Sequence, residues 1–160
     1  NQTGMVINRV YLTPFLVKRP MRVSAISVQV STAVAATTIR AGIYSAGLLS
    51  TTTPKLSLVS GSEGTVESGT TGPKDVVIDC EIGAGYYFIA AVSDGTPSMS
   101  IISAHLEDIG MLSALNATNH SAFQRDIAGS SAALPQSITA ALTGMGSGNS
   151  VFCGLKGVVQ

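Results

Sequence analysis

Apolar and polar residues alternate along most of this chain in short runs separated by clusters of Gly, Pro, Ser and Thr. A period of two sends successive side chains to opposite faces of a strand, so each run predicts a half-buried strand. Met21 to Thr32 places Ile26, Val28 and Val30 on one face and Ser27, Gln29 and Ser31 on the other. Thr37 to Tyr44 sets Ile39, Ala41 and Ile43 against Thr38, Arg40, Gly42 and Tyr44. Lys74 to Ile82 turns Val76, Ile78, Cys80 and Ile82 inward and Asp75, Val77, Asp79 and Glu81 outward. Tyr86 to Ser93 is apolar on both faces and predicts a central strand covered on both sides. Arg9 to Val17 carries Pro14, which cannot donate to a ladder, so it predicts an edge strand or a bulge. Lys55 to Gly61, Ser98 to His105 and Ser150 to Val159 bring the total to about eight strands, an all-β sandwich or barrel.

The turns have their own chemistry. Gly83 to Gly85 and Ser93 to Pro97 supply the positive and fixed φ values that tight turns need. Ser60 to Lys74 reads as a long polar connection. The pattern fails between about 105 and 135, which reads as a long irregular insertion. Leu106, Ile109, Leu112 and Leu115 are spaced by three and permit a short helix, which Gly110 weakens. A structureless stretch of roughly 30 residues calls for a job, either packing on a neighbouring subunit or forming a binding surface. No internal repeat or linker divides the chain, so residues 1–160 are read as one domain. The first residue is Asn1 rather than Met, and a longer or processed chain is expected.

Composition narrows the partners. The 160 residues are 45% hydrophobic but only 5% aromatic, and the formal net charge is zero, which leaves no basic stripe for nucleic acid and no polybasic membrane patch. No apolar run reaches the roughly 18 residues of a membrane helix. Charged residues are only 11% of the chain, whereas a freely soluble surface carries about 25–35%, so self-association is expected to cover part of the exterior. Cys80 and Cys153 both lie in apolar runs and read as reduced, buried small hydrophobes.

Candidate chemistry is sparse. His105 lies near Glu107 and Asp108, but with His120 the only other histidine there is no metal-ligand spacing. No nucleophile elbow is present, and the Gly-rich Gly144 to Ser150 lacks the ending of a phosphate loop. Asp79 and Glu81 share a strand face and could be read as glycosidase carboxylates, though a solvated or subunit-facing role is the expectation. No catalytic residue, metal or cofactor is therefore expected. Glycosylation triplets begin at Asn1, Asn116 and Asn119, as chance allows in a Ser- and Thr-rich chain. Tyr44, Tyr86 and Phe123 are conceivable sugar platforms, with Tyr44 and Tyr86 expected to pack on the sheet instead.

The ordered motifs carry a resemblance. Tyr11, Pro14, Phe15 and Val17 are followed by Met21 to Ala33, then Arg40 to Tyr44, Thr70 to Lys74, and Gly85 to Ala90. This series resembles a domain of tailed-bacteriophage virion proteins, often found at the C-terminal end of tail fibres. That family shows an R-L-G-I-Y strand, a T-T-G-x-K turn and a G-x-Y-W-L-A strand. Here Ala41 replaces Leu and Phe88 stands where Trp is common. Ala132 to Ala140 resembles the family's Leu-Pro step before its final strands. The loop after Tyr44 is poorer in glycine than the family's, and Leu106 to Ala128 aligns with no family segment.

The resemblance implies an antiparallel, jelly-roll-like β-sandwich, usually a homotrimer, on the virion surface after assembly in the host cytoplasm. No catalytic residues are shared across the family. The first expectation is a tail-fibre or tail-tip domain that binds a host-surface receptor, a glycan or a protein, alongside other virion proteins. Capsid decoration as a structural or head-fibre protein is the alternative, and a small glycan hydrolase the third. Receptor contacts are expected in the irregular segment, at Asn116, Asn119, His120, Gln124 and Arg125. Arg40, Asp79 and Glu81 are expected to be structural or interface residues. Arg40 should cover apolar surface with its stem and pair with Asp79 or Glu81.

Overall fold

The computed structural model describes residues 2–46, 55–100, 123–126, 132–139 and 153–159. The alternating runs become strands: β1 (Gln2–Gly4), β2 (Arg9–Val17), β3 (Met21–Thr32), β4 (Thr38–Ala46), β5 (Lys55–Leu58) and β6 (Gly64–Glu67). They continue with β7 (Gly72–Ile82), β8 (Gly85–Ser93), β9 (Ser98–Ser100), β10 (Phe123–Asp126), β11 (Ser137–Thr139) and β12 (Cys153–Val159). All eight expected strands have a counterpart, although only three residues of the run beginning at Ser98 are described. The four others, β1, β6, β10 and β11, span three or four residues each. Such short pieces show no alternation long enough to detect.

The strands form two antiparallel sheets. In the first, the order is β1-β9-β3-β12, with β7 on the other side of β3. In the second it is β10-β2-β8-β4-β5-β11, with β6 also on β4. Between the sheets lies the inner core: Val23, Ile26, Val28 and Val30 of β3 and Val76, Ile78, Cys80 and Ile82 of β7 meet Ile39, Ala41, Ile43, Ile89 and Ala91 of the second sheet. The chain is thus the expected β-sandwich. In β3 the inward phase slips by one after Val23, where the register shifts against both β7 and β12. A bulge of this kind bends and twists a strand, and it explains why clean alternation begins only at Ile26.

Several local expectations have structural outcomes. Central β8 is buried on both faces, with Phe88, Ala90 and Val92 in a second cluster on the outer side of its sheet. Pro14 stands where β2 changes character: β10 pairs with Arg9 to Leu12 only, while β8 pairs from Tyr11 to Val17. Among the described residues, Pro14 therefore sits beyond the end of the β10 ladder, where its missing N–H costs nothing. The expected irregular insertion needs a correction, because Phe123–Asp126 is a strand on the edge of β2. Its sequence hid it because four residues are too few for a period of two to show. Residues 105–122 and 127–131 lie outside the described residues.

Cys80 is a buried free thiol facing the inner core, and burial pushes its pKa up. It pairs with Val23 from one side of β3, while Cys153 pairs with Val28 from the other. Two strand spacings separate the cysteines by about 10 Å laterally, beyond the ~7 Å that a disulfide spans.

One side of the sandwich is closed by the chain between β5 and β6. Val59 donates its N–H to Ile43 O at 2.8 Å, and Asp79 N–H reaches Gly61 O at 3.2 Å, so this short segment ties the two sheets together. The fully buried Ser62 hydroxyl accepts from Ile43 N–H at 3.0 Å and faces Val59 O at 2.7 Å. Gly61 has φ 74°, and a Cβ there would lie 2.5 Å from Asp79 O. Both the turn and the close approach require glycine.

We expect Gly61→Ala to lower unfolding free energy by about 1–3 kcal/mol, read from urea melts. Exposed Gly83 meets nothing within 4 Å of a built Cβ, so Gly83→Ala should stay within about 0.5 kcal/mol.

Candidate functional site

Three outward residues of β4, Arg40, Gly42 and Tyr44, meet the segment 132–139, Arg40 by way of Glu63. Arg40 Nη1 donates to Glu63 Oε1 at 2.8 Å. The same carboxylate oxygen accepts the Leu134 backbone N–H at 3.0 Å. Gly42 provides the seat for the Leu134 side chain, since a Cβ at position 42 would lie 2.7 Å from Leu134 Cδ1. The buried Tyr44 donates its hydroxyl to Pro135 O at 2.7 Å. Further along, Leu58 N–H reaches Gln136 O at 3.0 Å, and β11 pairs with β5. Leu134 and Ile138 thereby close the outer cluster over Val10, Leu12, Leu56, Phe88, Ala90 and Val92. Burial raises the pKa of the Tyr44 hydroxyl, with the Glu63 charge adding to the effect.

The expected pairing of Arg40 with Asp79 or Glu81 is corrected. Asp79 and Glu81 project from the outer face of the first sheet, whereas Arg40 projects from the outer face of the second. The inner core separates them. Alternation set the face of Arg40 correctly, but facing strands could not be assigned to sheets from sequence. Nothing in the sequence marked Glu63 as the partner, since it lies in what reads as a polar connection.

The outer face of the first sheet carries its own ion pairs. Arg22 grips Asp79 through Nε at 2.8 Å and Nη2 at 2.7 Å. Arg22 is also directly opposite Glu81 in register. Lys156 Nζ reaches Asp75 Oδ2 at 2.6 Å, and the Ser27 hydroxyl donates to Asp75 Oδ1 at 2.6 Å. These bonds hold both Asp75 and Asp79 below the ordinary carboxylate value: the Lys156 bond leads for Asp75, and the Arg22 bond for Asp79. All four charged partners are exposed, so the face is solvated in the isolated chain.

Of the expected receptor residues, Asn116, Asn119 and His120 lie outside the described residues, as do His105, Glu107 and Asp108. Gln124 and Arg125 fall in β10, with their backbones opposite Tyr11 and Val10. Of the five, Gln124 and Arg125 are therefore the ones that the described residues place, next to each other on this edge strand. Of the aromatic platforms, Tyr44 is buried and Tyr86 packs against the outer cluster. A cleft of about 190 Å³ is lined by Ala36, Thr37, Thr38, Glu67 and Gly69. Its Thr37 hydroxyl is engaged by Val34 O at 2.8 Å and by Ser68 Oγ at 2.5 Å. Glu67 is the one carboxylate that lines this cleft. Among the described residues, no cluster of three or more His, Cys, Asp or Glu could hold a metal ion.

No family model, curated protein or solved structure matches the chain. The geometry of the site thus stands on its own, and its organised feature is the grip of β4 on residues 132–139.

Arg40→Ala should cost about 1–3 kcal/mol in urea unfolding, because it leaves the half-buried Glu63 carboxylate without its guanidinium. Arg22→Ala, in an exposed and solvent-screened pair, should leave the urea midpoint close to that of the unaltered protein. Acid should act through Asp75 and Asp79. Their folded-state pKa values are depressed, so their stabilisation is present above the unfolded value of about 3.9 and is lost as pH falls through the lower folded value. The Asp75→Asn/Asp79→Asn double variant should show a shallower fall in melting temperature below about pH 4, measured by circular dichroism.

Proposed function

We propose that this chain is a virion surface module of a tailed bacteriophage, a tail-fibre or tail-tip domain that binds a host-surface receptor as a homotrimer. One observation carries the reading. Two of the motifs behind the resemblance, Arg40 to Tyr44 and the Leu134-Pro135 step, meet in space although Tyr44 and Pro135 are 91 residues apart. On the outer face of the first motif, Tyr44 bonds the second, Gly42 seats its Leu134, and Arg40 holds the Glu63 carboxylate that accepts the Leu134 N–H. A physical contact gives a reason for both motifs to occur in one chain. It also makes them part of the frame, which leaves recognition to residues outside both motifs.

The low charge content adds support for the homotrimer, since subunit contacts would cover weakly charged surface. Trimeric display would raise avidity by about 10²–10⁴ over a single weak site. In this reading Asn116, Asn119, His120, Gln124 and Arg125 are the proposed receptor contacts, and a surface glycan is the proposed ligand. Binding needs no cofactor, metal or catalytic residue.

Light scattering should give three chain masses for the purified protein. The labelled trimer should bind saturably to envelopes from a panel of bacteria, and periodate oxidation of surface glycans should abolish binding. An assembled protein that binds none of them, with antibody label on the phage head, would replace receptor binding with capsid decoration.

A further inference from the structure

We propose that residues 132–139 form a separable strap, which opens from the outer face of the second sheet as a unit while the sandwich stays folded. None of the inner-core residues lies in this segment. Its own buried side chains are Leu134 and Ile138, and both belong to the outer cluster. Removing the strap therefore leaves the contact between the sheets intact. Native proteins open in such cooperative sub-units when few contacts bind one part to the rest.

Among the described residues, the fastenings are local. They include the Glu63 bond to Leu134 N–H, the Tyr44 bond to Pro135 O, the Leu58 bond to Gln136 O, and a three-residue ladder on the short β5. Opening breaks all of these together. It does not require breaking the Arg40–Glu63 pair, because both side chains belong to the sandwich side of the contact. Arg40 is thus a positioning residue: it keeps the Glu63 carboxylate aimed at the place where the Leu134 N–H returns. Gly42 keeps the Leu134 seat vacant in the same sense. The open form uncovers Leu12, Tyr44, Phe88 and Ala90, an apolar strip that the closed form hides.

Native-state hydrogen exchange followed residue by residue by NMR tests this directly. The Leu134 and Leu58 amides are both bonded across the strap contact, so they should exchange together. They should run at least about tenfold faster, relative to intrinsic rates, than Val59 and Asp79, whose bonds to Ile43 O and Gly61 O lie within the sandwich. Glu63→Gln should speed Leu134 and Leu58 by a further tenfold or so and leave Val59 and Asp79 unchanged. Gly42→Val should do the same by filling the seat. Equal protection of all four amides in the unaltered protein would overturn the proposal. So would a Glu63→Gln variant that accelerates all four amides equally.

Discussion

A sheet that is apolar on both faces needs two covers, and β4 and β8 impose that requirement here. Ile39, Ala41, Ile43, Ile89 and Ala91 are covered by the first sheet, whereas Tyr44, Phe88, Ala90 and Val92 face away from it. The strap at 132–139 answers the second demand, with Leu134 and Ile138 as its buried side chains. A strap laid over a hydrophobic face also brings backbone N–H and C=O groups out of water, and each needs a partner. Glu63 and Tyr44 provide two of them.

The few charges in the chain are used in two ways. Arg22 and Asp79 are 60% and 66% exposed, and such pairs contribute little because water and salt screen them. Arg40 and Glu63 are each 24% exposed, and Glu63 Oε1 also holds a backbone donor. Removing one partner there strands a partly desolvated carboxylate, so the same chemistry carries a larger penalty. The arginine in the middle of an apolar strand is thus a fastening of the frame. Glycine at position 42 serves the same contact by omission, since any larger side chain would displace Leu134.

In the proposed reading, a frame of this kind separates stability from recognition. The two cores, the Gly61 crossing and the strap hold the strands in place. In the proposed reading, receptor contacts are assigned to residues other than those that build this frame. This division suits a display module, in which one scaffold presents different loops.

Much of the fold was legible in the chain because alternation is a local property. It marked β3, β4 and β7 with their inward residues and placed Arg40 on the face opposite Ile39 and Ala41, while an unbroken apolar run marked β8 as covered on both sides. The short β6, β10 and β11 were not legible, since three or four residues show no period and their pairing is carried by backbone groups that every residue has. The partner of Arg40 was equally hidden. Side-chain phase tells which face a residue occupies, but not which sheet another strand joins or which loop crosses it. Sequence alone therefore determined a sandwich with an arginine turned away from its inner core. Only the tertiary structure decided that Glu63 meets that arginine and that Leu134 closes the contact, because the three come together through strand order and crossing loops rather than through any local spacing.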